Sequence, residues 1–101
     1  MKLLTKELLK QFEKVGRDED TPVEEKIVIA KFFNPYGAGT WYATEYDPEE
    51  ELFFGYCIIT DGEWGYFSLS ELESYKFHGV PFMGIERDLY WKPCKFKEVV
   101  L

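Results

Sequence analysis

Glu86-Arg87-Asp88 is the polar tripeptide best placed to do chemistry, because Ile85 precedes it and Leu89-Tyr90-Trp91 follow it, holding it against apolar surface. A guanidinium grips a carboxylate with two parallel hydrogen bonds. Arg87 therefore reads as half of an ion pair with Glu45, Glu63 or Glu71, or as a substrate clamp. With Glu86 as base and His78 as acid, the set would suit a small ribonuclease. The charge balance opposes that use: 12 Lys and Arg against 19 Asp and Glu leave a formal −7 on 101 residues, a poor host for a polyanion. The cluster Glu45, Glu63, Glu71, Glu86, Arg87 and Asp88 is structural or functional, and the ion-pair reading is favoured.

Other chemistries lack their residues. Tetrahedral zinc needs four nitrogen or sulfur ligands, and one His with two Cys cannot supply them. Glu45, Asp47, Glu49, Glu50 and Glu51 lack the alternation and turn glycine of a calcium loop, and read as a solvated acidic hairpin. Neither a P-loop nor a dinucleotide fingerprint is present. No catalytic residue, metal or cofactor is assigned, and His78, in a Gly/Pro loop, reads as a surface residue. Cys57, in an apolar run, and Cys94, after Pro93, make no disulfide framework. They read as a buried and a partly exposed thiol in a reducing cytoplasm.

The aromatic residues carry the stronger signal. Nine Phe, seven Tyr and three Trp exceed what a core of this size needs. Tyr and Trp combine large contact area with a polar handle and are enriched where proteins bind partners. Tyr42, Tyr46, Tyr56, Trp64 and Tyr66 are the candidate partner-binding residues. Aromatics on a sheet also stack single-stranded bases, but the basic groove that accompanies such stacking is missing.

These groups need a sheet to position them. Thr5 can cap a helix to about Val15, ended by Gly16, with Leu4, Leu8, Phe12 and Val15 as its apolar stripe. Lys2, Lys6, Lys10 and Lys14 form a solvated basic face. Strands are expected over 27–33, 40–46, 52–59 and 64–69, with turns at Asn34–Gly39, Asp47-Pro48 and Thr60–Glu63. Connections this short force antiparallel neighbours. Ser70 caps a second short helix with Glu73 at the reciprocal position, and 87–92 is a last strand.

Alternation places Tyr42, Thr44 and Tyr46 on one face of the second strand and Trp41, Ala43 and Glu45 on the other. The third strand is apolar on both faces and should be interior. The first helix covers one face of the sheet. The other is a second small core under 77–91 or an exposed aromatic platform. The expectation is one α+β domain over 1–101. It consists of an antiparallel four- or five-stranded meander sheet, an N-terminal helix on one face and a short helix after the fourth strand.

The N-terminus interrupts its leucines with charge, unlike a signal peptide, and no run reaches the length of a spanning helix. A cytoplasmic protein away from membranes is expected. The chain resembles the family called domain of unknown function 2958. The resemblance lies in Leu3-Leu4-Thr5, Lys31-Phe32-Phe33 with Pro35, Trp41-Tyr42-Ala43-Thr44-Glu45, Leu52-Phe53-Phe54-Gly55-Tyr56, Glu63–Leu69 with Glu71-Leu72, and Ile85–Asp88 with Pro93. Gly79–Gly84 is longer and more apolar than the family's lead-in to Glu-Arg-Asp. The resemblance implies a setting in bacterial plasmids, conjugative elements and phages, and brings no activity or functional residues.

The favoured function is a non-enzymatic protein-interaction module, in its narrower form an inhibitor of a host nucleic-acid-binding or defence protein, acting as a monomer or homodimer. A small hydrolase or nuclease using Glu86, Arg87 and nearby carboxylates is the first alternative. A single-stranded nucleic-acid binder is the second.

Overall fold

The computed structural model describes residues 2–101. Helix α1, Lys6–Val15, starts where the Thr5 hydroxyl accepts the Leu8 N–H at 3.2 Å. It stops at Gly16, whose φ of 61° few other residues tolerate. Its apolar stripe is buried as the spacing predicts: Phe12 is closed off from water, with Leu4, Leu8 and Val15 packed beside it.

The strands are β1 (Ile27–Val28), β2 (Ala30–Phe33), β3 (Thr40–Asp47), β4 (Leu52–Ile58) and β5 (Gly62–Ser68). Helix α2 follows at Leu69–Ser74, and then β6 (Glu86–Arg87) and β7 (Cys94–Lys95). Strands β2 to β5 form an antiparallel meander, and β6 adds outside β2, giving the order β5-β4-β3-β2-β6. The fold is α+β, with α1 on one face of a five-stranded antiparallel sheet and a short helix directly after β5. Strands β1 and β7 pair separately.

Four local expectations change. The run over 27–33 is two strands, because after Val28 the chain leaves β7 to join the main sheet. The cap of α2 is Ser68, not Ser70: its hydroxyl accepts the Glu71 N–H, and starting there buries Leu69 and Leu72 together. The strand expected over 87–92 is only Glu86–Arg87, since the Asp88 carboxylate accepts the Tyr90 N–H at 3.0 Å and bends the chain.

The fourth change alters the faces. The pairing of β3 with β4 runs Ala43↔Gly55 and then Glu45↔Phe54, leaving Thr44 as an unpaired bulge residue. One extra residue exchanges the faces beyond it. Tyr46 therefore joins Trp41 and Ala43 in the α1-covered core, 4.8 Å from the Phe53 ring, and Glu45 moves to the face of Tyr42. The Thr44 hydroxyl donates to the Phe54 carbonyl at 3.0 Å, which satisfies the bulge.

The second face is partly roofed, by Trp91 at the very end of the 77–91 segment and by Phe96 beyond it. Trp91 packs 5.8 Å from Tyr42 and donates its indole N–H to the Val28 carbonyl, while Phe96 packs on Tyr56 and Trp64. The Tyr75–Gly84 segment goes instead to the β2–β3 turn, where Phe77 stacks on Tyr36.

Candidate partner-binding cleft

The five candidate aromatics do not form one platform. Tyr42 is buried beneath Trp91, and the Lys31 ammonium lies 5.8 Å and 5.9 Å from those two rings. Tyr46 is on the opposite face. Tyr56 and Trp64 are half-buried under Phe96. Tyr66 is 65% exposed and leans edge-on against Phe54.

The polar cluster also separates. Glu45 pairs with Lys26 at 2.9 Å. The Arg87 guanidinium donates to the carbonyls of Lys2 (2.9 Å) and Leu3 (3.4 Å), while the Leu3 N–H donates to the Glu73 carboxylate. Arg87 thereby clamps the segment ahead of α1. Glu86, Arg87 and Asp88 border a shallow depression of ≈ 350 Å³ with Lys31, Phe33 and Tyr90. Glu63 is on β5 at the other edge of the sheet; with strands spaced ~4.8 Å apart, four steps put the two edges roughly 19 Å apart. Of the acid, base and clamp of the hydrolase reading, Glu86 and Arg87 share this depression, and His78 is not among the residues that line it. Among the described residues no three His, Cys, Asp or Glu side chains gather to hold a metal.

Glu63 and Glu71 do share a site. Beside β5 the α1-covered face is left open, and a cleft of ≈ 460 Å³ lies there. Trp41, Cys57 and Phe67 form its floor, Glu71 of α2 and Tyr75 just after that helix form one wall, and Glu63 stands on the rim. Among the described residues no Lys, Arg or His lines it. Burial, and then the negative charge of Glu63, push the Cys57 thiol up to about 11, so it is an inert thiol in an electronegative setting. Glu63 and Glu71 are exposed, and neither carboxylate has an ion-pair or hydrogen-bond partner among the described residues.

Strand β5 borders the cleft, and among the described residues it pairs only with β4. On its free side every second residue offers an unpaired N–H and C=O. Among the described residues, a Cβ at Gly65 would meet nothing within 4 Å beyond its two chain neighbours. Ile59, 58% exposed in the β4–β5 turn, and Tyr66 of β5 both line the cleft. Residue-type reasoning found Glu63, Glu71 and Tyr66 but missed Trp41, Cys57, Ile59, Phe67 and Tyr75. The available signal was topological, because the last strand of a meander has one neighbour.

A model of one protein family, described as protein of unknown function (DUF2958), matches residues 3–97. No curated protein and no solved structure matches the chain.

Proposed function

Since the chain belongs to the DUF2958 family, to which no activity is attached, we propose from its own geometry that it is a non-enzymatic protein-interaction module. The observation that carries this reading is the seven-residue β5, unpaired along one side and bordered by an apolar-floored cleft with exposed Ile59 and Tyr66. A long open edge is a template for another chain. The dispersal of Glu45, Glu63 and Arg87 over separate regions supports binding over catalysis. Free Cys57 and Cys94 suit a reducing cytoplasm. In the mobile-element setting that the family resemblance implies, the partner would be a host nucleic-acid-binding or defence protein whose basic surface meets this acidic rim.

The test is affinity capture from nuclease-treated host lysate by the wild type and by Ile59→Ala/Tyr66→Ala, with circular dichroism to establish that the variant folds. A protein retained by the wild type and lost from the folded variant is expected. Equal retention by both would remove the β5 edge from the function.

A further inference from the structure

The edge of β5 and the cleft next to it differ in what they ask of an occupant, and together they describe one. The edge offers backbone donors and acceptors at every second residue, which an extended segment satisfies by adding as a sixth strand. The two faces of that added strand would meet different surroundings. Trp64 and Tyr66 project from one face of β5, and Glu63 and Phe67 from the other, towards the cleft. A guest side chain on the cleft side would lie beside Phe67, on the cleft that Glu63 and Glu71 also line. Among the described residues neither carboxylate has a cation, and Asp61 lines a hollow together with Glu63 at the β4–β5 turn. Lys and Arg fit that position, because their aliphatic stems cover apolar surface while the head stays at the wet rim. On the opposite side, beside exposed Tyr66, an apolar side chain is the complement.

We propose that β5 takes an extended segment of a partner protein in which Lys or Arg alternates with apolar residues, added to the sheet edge with its basic side chains facing Glu63 and Glu71. The proposal rests on the interaction-module reading and supplies the partner's chemistry. A second copy of this chain fits less well, since it would bring another Asp61, Glu63 and Glu71 to the same edge, and like charges across paired strands are unfavourable.

The probe is an acetylated peptide of alternating Lys and Val, long enough to span β5, tested by fluorescence anisotropy against the full chain. Its controls are the same peptide with Glu for Lys and with alternate backbone nitrogens methylated. Hydrogen exchange locates the contact. The Lys/Val peptide is expected to bind and to protect those β5 amides not bonded to β4, and both control peptides are expected to fail. Glu63→Gln/Glu71→Gln should weaken binding about three- to tenfold, the loss of two rim ion pairs, and added salt should do the same.

Binding without β5 protection, or binding unaffected by N-methylation, would overturn strand addition. Protection of the same amides by protein concentration alone, with dimerisation in sedimentation, would assign the edge to a second copy. If the peptide fails while a lysate protein is still captured through Ile59 and Tyr66, the module stands and this mode of docking falls. If neither occurs, both fall.

Discussion

Lys26 and Glu45 form an ion pair at 2.9 Å with only 7% and 14% of their side chains exposed. The Lys26 ammonium also donates to the Asp18 carbonyl and lies 5.8 Å from the centre of the Phe54 ring. The bulge at Thr44 makes the pair possible, because without the extra residue Glu45 would point into the core beneath α1. Removing one partner strands the other charge with little water. Lys26→Met should therefore cost about 3–5 kcal/mol in urea unfolding, and the double variant Lys26→Met/Glu45→Gln should cost less than the sum of the two singles.

Two glycines of neighbouring strands should respond oppositely to alanine. A Cβ at Gly55 would come within 1.9 Å of the Tyr42 carbonyl oxygen, so backbone must move. Gly55→Ala is expected to lose ~3 kcal/mol or more. Gly65 faces open space, and Gly65→Ala should lie within about 0.5 kcal/mol of wild type or gain slightly. Thermal melts of the pair read the contrast directly.

Arg87 acts on the segment ahead of α1. Arg87→Ala removes the bonds to the Lys2 and Leu3 carbonyls, at an expected cost of about 1.5–3 kcal/mol for hydrogen bonds to a charged donor. Leu3, which is fully buried, should lose its amide protection in hydrogen exchange before the sheet does. Loss of protection at β5 instead would mean that the clamp serves the whole fold.

Cys57 should be a slow thiol. With its pKa pushed up from 9.0 to about 11, the reactive thiolate at pH 8 is roughly a hundredfold scarcer than for an ordinary cysteine. Mass spectrometry after timed alkylation of the native protein tests this. A Cys57 rate equal to that of the unfolded chain would contradict the packing of the cleft floor.

Glu25 holds Lys97 at 2.6 Å and Lys95 at 3.0 Å, which bind it directly and hold its carboxyl below its ordinary 4.5. A carboxylate with a lowered pKa stabilises the fold fully above the unfolded value and ceases to do so as pH falls through the folded one. Lys97 is raised by the same contact, so its share is complete below its ordinary value and is lost at high pH, as pH rises through the raised one. Acidification below the carboxylate range should loosen the Phe96–Glu98 turn while the main sheet persists. NMR shifts of Phe96 and Phe53 followed together through the titration distinguish the two.

Local chemistry was legible in the sequence, and pairing across the chain was not. Thr5 and Gly16 delimit α1 by capping alone, and the turns at Asn34–Gly39 and Asp61-Gly62 leave the hairpins no alternative. Nothing at Thr44 marks a bulge: no glycine or proline is there, so alternation ran on unbroken and put Tyr46 and Glu45 on the wrong faces. The 27–33 run gave no sign that Val28 and Ala30 serve different sheets, because an apolar run looks the same whichever partner it meets. Lys26 with Glu45 and Arg87 with Leu3 join residues far apart in sequence, where spacing carries no information. The three cleft residues that were singled out, Glu63, Glu71 and Tyr66, were named for their types and not for being neighbours.

The pairing of β1 with β7 has a kinetic consequence. The β2–β5 meander closes short loops and can form early, whereas the β1–β7 clasp and the Phe96 contact with Trp64 join distant segments whose loop-closure entropy delays them. The second face is thus sealed after the sheet exists. Trp64 emission should change in a phase slower than that of the buried Trp41, and the clasp should be among the first regions to open in native-state exchange.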